Sequence, residues 1–172
     1  FLAGLGGLAL LPLLTQAVSA CGGESATAPF SRVRPGDPGW PTREAWEALR
    51  GQLSGDLIEV RSPLQECVGV SDARCAELFR ELKNPYFIGD DPGLTQTTGW
   101  FEAWDSKPSV YAIAATSAAD IKAGVDFARE RNLRLVVRGG GDSYQGTSNA
   151  ADSLLIWTRR MRELTMHDGF VG

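Results

Sequence analysis

The sequence predicts an α+β fold built around a strand–helix–strand unit, and three observations carry that expectation. Residues 110–114, VYAIA, and 133–137, LRLVV, are apolar runs of strand length. Between them, Ile121, Val125 and Ala128 recur at helical spacing. The second run then leads through Arg138 into three consecutive glycines, Gly139, Gly140 and Gly141, before another strand-like run, Leu154 to Trp157. Adjacent glycines lose much backbone entropy on folding and are costly inside a strand or helix. They suit a loop that takes unusual backbone angles or is approached closely, and successive N–H groups in such a loop form a concavity suited to an anion.

Taken in order, residues 1–20 carry no charge, are interrupted by Pro12, Thr15 and Gln16, and end in the small residues Ala17, Ser19 and Ala20. This reads as the apolar core and cleavage region of a secretory signal segment, residues 1–21, with a short membrane anchor as the alternative. The opening Phe1-Leu2 is similar to the end of a twin-arginine signal, and Val18 to Cys21 resembles a lipoprotein cleavage box that would place lipid on Cys21. Residues 22–41, rich in Gly, Pro, Ser and Thr, read as a linker.

Residues 42–106 read as an N-terminal helical extension. Thr42 caps a helix to about Leu53, with Trp46, Leu49 and Leu53 on one face. Residues 57–60, LIEV, form a short strand. Ser71 or Asp72 caps a second helix, its stripe formed by Cys75, Leu78, Phe79 and Leu82, and Asn84-Pro85 stops it. Residues 86–105 read as a loop in which Trp100, Phe101 and Trp104 are packing anchors and Asp90-Asp91 a solvated turn. Cys67 and Cys75 are the obvious disulfide pair in an exported protein, two buried free thiols being the alternative. No Cys and His cluster suggests a metal site.

The central unit follows. Ser117 and Asp120 form a variant capping box, and Asn132 suits a left-handed C-terminal cap. A right-handed crossover would make the two strands parallel. The loop leaving the second strand is where α/β sheets bind ligands. No G-x-G-x-x-G leads into a helix here, so loop amides rather than a helix N-terminus would hold an anion. Arg159, Arg160 and Arg162 read as a solvated basic face, and His167 has no visible catalytic partner. At 172 residues, 43% hydrophobic and net charge −4, the chain is an ordinary globular one. It lacks the basic footprint of a nucleic-acid binder.

The string RGGGDSYQG, Arg138 to Gly146, with its flanking residues 108–137 and the following WTRRM, resembles the flavin loop of FAD-linked oxidases. These carry a PCMH-type (vanillyl-alcohol oxidase/p-cresol methylhydroxylase) FAD-binding domain, and the similarity is to the berberine-bridge-enzyme-like branch. The resemblance implies an FAD-dependent oxidoreductase that passes a hydride from a small hydroxylated or amine substrate to the flavin and electrons on to oxygen or another acceptor. It implies that residues 107–172 are the N-terminal part of that domain, a βαβ subdomain plus the start of a second. The protein would continue beyond Gly172, where residues 165–172 read as a new strand. Arg138, Gly139, Gly140, Gly141, Asp142, Ser143, Tyr144, Gly146 and Ser148 are the implied cofactor-binding residues, with the pyrophosphate on the loop amides; the catalytic residues are expected elsewhere. Relatives carry a histidine, covalently bonded to the flavin, where this chain has Asp142. Two readings follow: FAD bound without a covalent bond, or a non-catalytic secreted module that has lost its flavin.

The uncharged opening segment predicts an exported protein, periplasmic, secreted or lipid-anchored. Fractionation of cells expressing the complete gene checks this; recovery only in the cytoplasm with an intact N-terminus is the contrary result.

Overall fold

The computed structural model describes residues 31–97 and 99–169. The signal segment, Cys21 and residues 22–30 of the expected linker lie outside the described residues, as do 170–172.

Helix α1, Arg43–Arg50, starts where Thr42 accepts a hydrogen bond from the Ala45 N–H. Strand β1, Asp56–Glu59, follows. A single 3₁₀ turn, Gln65–Cys67, precedes α2, Ala73–Glu81, which Asp72 caps by accepting from the Cys75 N–H at 2.8 Å. Next come α3, Pro85–Gly89, and a small hairpin of β2, Gly99–Trp100, with β3, Trp104–Asp105. Strand β4, Tyr111–Ala114, leads into α4, Ala118–Glu130, then β5, Arg134–Arg138, and β6, Ser153–Trp157.

The expected capping box of α4 is formed. Asn132 takes φ 52°, the left-handed conformation that ends the helix and turns the chain into β5.

The main sheet has the order β1-β4-β6-β5. Strands β4, β6 and β5 are parallel, and β1 is antiparallel to β4. The strands joined by α4 are therefore not neighbours, because β6 lies between them. The reason is in the sequence of β6: Leu154 to Trp157 are all apolar and all buried. A strand that is apolar on both faces belongs inside a sheet covered on both sides.

On one face of the sheet, α1 and α4 enclose Trp46, Leu49, Leu57, Ile113, Phe127, Leu133, Leu154 and Ile156. The opposite face presents Ala112, Ala114, Leu155 and Trp157, flanked by Ile58 and Val136. A third cluster forms around the Cys67–Cys75 disulfide, with Leu78, Leu94, Leu82, Phe87 and Ile88. The cysteines thus pair, while Phe79, expected on the buried stripe of α2, is largely exposed.

Several segments differ from expectation. Within residues 42–106, read as a helical extension, β1 is a strand at one edge of the main sheet. In residues 31–41 of the linker, the Val33 N–H donates to the Asn132 carbonyl at 3.0 Å, and Trp40 packs on Trp46. The expected loop 86–105 contains α3 and the hairpin. Asn84 and Pro85 do end α2, but they also start α3, Asn84 accepting from the Tyr86 and Phe87 N–H groups. Residues 158–169 contain no strand.

A buried carboxylate at the start of α4 ties the turn that follows α1 to the β4–α4 connection. Asp120 accepts from the N–H groups of Ser54, Thr116 and Ser117 and from the Thr116 hydroxyl. Burial alone would raise its pKa, but these hydrogen bonds outweigh burial and hold the carboxyl below the ordinary aspartate value. Because the folded pKa is depressed, the stabilisation is present above the unfolded value and is lost as pH falls through the folded one. Asp120→Ala leaves buried donors without an acceptor and costs about 3 kcal/mol. Urea unfolding at neutral pH checks this, and the difference between the two proteins shrinks in acid.

Candidate functional site

Residues 139–152 leave the C-terminal end of β5 and return to the start of β6. Against the outset of this loop stand α3 and residues 94–96, and between them lies a pocket of about 600 Å³. Gly140, Gly141 and Asp142 line it from the loop, Tyr86, Ile88 and Gly89 from α3, and Leu94 and Thr95 from the segment after it.

Arg138 forms the floor. It is 3% exposed. Its guanidinium donates to the carbonyls of Leu94 at 2.7 Å and Asp91 at 3.0 Å and to Asn149 Oδ1 at 3.3 Å. It also lies 5.6 Å from the centre of the Trp157 ring. Burial pushes its pKa down to about 10, opposed by the nearby Asp91 carboxylate, so it stays charged at neutral pH. Nη1 and Nη2 thus donate to the protein, and Arg138 shapes the pocket while adding charge beneath it.

The three glycines have different reasons to be glycine. Gly141 has φ 81°, and a Cβ there would press on the Arg138 side chain. Gly140 has a φ outside the left-handed region, and a Cβ would meet no protein atom within 4 Å. At Gly139 the nearest such atom is the Thr158 hydroxyl, at 3.7 Å. The protein's own packing therefore does not require glycine at 139 or 140. Among the described residues, the N–H groups of Gly139, Gly140, Gly141 and Asp142 donate to no protein acceptor. Neighbouring amides without acceptors beside a pocket suit an anion, and an unfilled Cβ position at Gly140 suits close approach by a ligand.

The other expected site residues divide by role. Asp142 is exposed on the pocket rim. The Ser143 hydroxyl bonds the Thr147 hydroxyl and accepts from the Thr147 N–H, closing the turn. Tyr144 projects into solvent. Gly146, with φ 69°, lies so close to the Trp104 ring of the hairpin that a Cβ would be 2.5 Å away. Ser148 is buried in the returning chain. Of the expected set, Arg138, Gly140, Gly141 and Asp142 come together at the pocket.

Sequence reasoning missed the opposite wall. Asp90-Asp91 is not a plain solvated turn: the Asp91 carboxylate accepts from the Gly93 N–H at 2.7 Å, and its carbonyl accepts from Arg138. Nor is Arg159 part of a solvated face, for it too lines the pocket. The Asn-Pro pair opening α3 was the available signal for this wall.

Residues 109–170 match the family model described as an FAD binding domain. The chain is 29% identical to the FAD-linked oxidoreductase notD of Aspergillus sp. (strain MF297-2), over 90% of this chain and 27% of that protein. It is 30% identical to the FAD-linked oxidoreductase sor8 of Hypocrea jecorina (strain QM6a), over 96% of this chain and 31% of that protein. Its fold is similar to the crystal structure of the VAO-type flavoprotein MtVAO615 from Myceliophthora thermophila C1. That match has a TM-score of 0.60 and 30% identity, covering 73% of this chain and 26% of the other. The chain thus spans between a quarter and a third of the length of these relatives.

The two glycine positions give separable outcomes. Gly141→Ala forces an L-residue into the left-handed region and costs about 1–2 kcal/mol. Gly140→Ala meets no atom and changes stability by less than about 1 kcal/mol. Thermal unfolding of the two variants checks both.

Proposed function

We propose that this segment, part of a protein of the PCMH-type FAD-binding oxidase family, holds the FAD pyrophosphate on the amides of Gly139 to Asp142, within an FAD-dependent oxidoreductase. The observation that carries this is Gly140: a glycine its own protein does not need, with a free N–H, on the rim of the pocket. Bound FAD supplies hydride acceptance at flavin N5.

The residues of this chain would bind and orient. The glycine amides would take phosphate oxygens as hydrogen-bond acceptors. Arg138 would hold the loop against the 91–94 segment and raise the local positive potential without donating to the cofactor. Leu94 and Ile88 would supply apolar wall. Asp142 offers an exposed carboxylate where relatives carry the attaching histidine, and a carboxylate is a poor equivalent of an imidazole nitrogen in that bond, so the flavin would be held without a covalent link. We further propose a small hydroxylated or amine substrate, oxygen or another acceptor as oxidant, and an exported location.

Asp142 also favours a second reading, a module that no longer binds flavin, and one experiment separates the two. The full-length protein is purified, denatured in acid and centrifuged. Free flavin in the supernatant is the expected result. Yellow colour pelleting with the protein contradicts the non-covalent mode, and no flavin in either fraction after FAD is supplied favours the non-catalytic module. Gly140→Val, whose Cβ meets no protein atom within 4 Å, is expected to abolish flavin retention while the melting temperature stays close to that of the wild type.

A further inference from the structure

We infer that Arg159 is an anion-binding residue of this pocket, its guanidinium neutralising phosphate charge opposite the glycine amides; this rests on the proposed FAD site and adds a residue to it. The position follows from the sheet. The Thr158 N–H donates to the Arg138 carbonyl at 2.9 Å, extending the β5–β6 ladder by one step. The next residue, Arg159, therefore leaves the sheet beside the start of the glycine loop.

Its side chain crosses to the end of α3. The guanidinium lies over Gly89, where a Cβ would be 3.1 Å from Cζ and Nη2 and 3.2 Å from Nη1. Arg159 Nε donates to Asp90 Oδ1 at 2.9 Å, and the Arg159 side chain is only 22% exposed. One edge of the guanidinium is thus fixed by a carboxylate. Among the described residues, Nη1 and Nη2 donate to no protein acceptor, and the residue lines the pocket. An arginine held through Nε presents its terminal nitrogens as a preset fork, the geometry that matches two phosphate oxygens.

The other cations of the pocket do not duplicate this. Arg138 is committed to carbonyls and Asn149. Lys83 is exposed, and a solvated ammonium is a point charge without a fork. Asp90 is then a positioning residue, and its one carboxylate oxygen also lies 3.7 Å from Arg162 Nη2.

The test measures FAD dissociation constants of the full-length wild type, Arg159→Gln, Arg159→Lys and Asp90→Asn by flavin fluorescence at low and high salt. Glutamine keeps the first two methylenes of the side chain and removes the charge together with the guanidinium that lies over Gly89. Arg159→Gln is expected to weaken FAD binding by about tenfold at low salt and to flatten its salt dependence, since a screened charge contact is gone. Lysine is expected to preserve the salt dependence but only part of the affinity, and Asp90→Asn to weaken binding by a smaller factor. The inference is overturned if Arg159→Gln binds FAD within twofold of the wild type. It is equally overturned if affinity falls with the salt dependence unchanged, which would mark a merely structural role. A wild type that binds no FAD overturns the proposed function together with this assignment, whereas an unaffected Arg159→Gln overturns this assignment alone.

Discussion

A buried guanidinium at the end of β5 ties together the parts that make the pocket. Removing a charge from water is expensive unless it is well bonded, and Arg138 is bonded to two carbonyls and a side-chain amide from two distant segments. Those acceptors belong to the 91–94 turn and to the returning limb of the glycine loop. The turn is in turn anchored by Leu94 to the disulfide cluster that carries α2 and α3. The arginine therefore joins the sheet, the loop and the helical wall. Its hydrogen-bond acceptors are neutral oxygens, with the Asp91 carboxylate nearby but not bonded to it.

Within the single motif Arg138 to Gly146, two kinds of residue are interleaved. Gly141, Ser143 and Gly146 give the loop its shape, through positive φ angles and a closed serine–threonine turn. Gly139 and Gly140 have no such duty. A motif of this sort is specific because both sets must coincide: the first places the amides, and the second leaves room in front of them. Asp142 belongs to neither set, being exposed on the rim.

What the sequence disclosed was local. The caps at Thr42, Asp72, Ser117 and Asn132 were readable because each depends on residues a few positions apart. The Cys67–Cys75 pair was readable for the same reason. Strand order was not, because strand–helix–strand spacing does not say whether a third strand will enter between the two. The buried character of β6 held that information, but only as a preference for a central place. Asn84-Pro85 is ambiguous in itself, since the same pair ends one helix and starts the next. Arg159 was missed because three arginines in a short span have the same composition whether they face water or one of them lies over Gly89.

The central place of β6 has a consequence for how the chain acquires its fold. Tyr111 pairs with Leu154 and Arg134 with Ser153, so both parallel ladders wait for β6, the last strand among the described residues. Until that strand arrives, β4 and β5 each present an unpaired edge, with apolar residues such as Ile113 and Leu135 behind it. Long-range parallel pairing forms slowly, and open apolar edges invite association with other chains. During synthesis the half-finished sheet is thus the vulnerable species, and the segment 139–152 acts as its timer: the glycine loop must be made and turned back before the sheet can close.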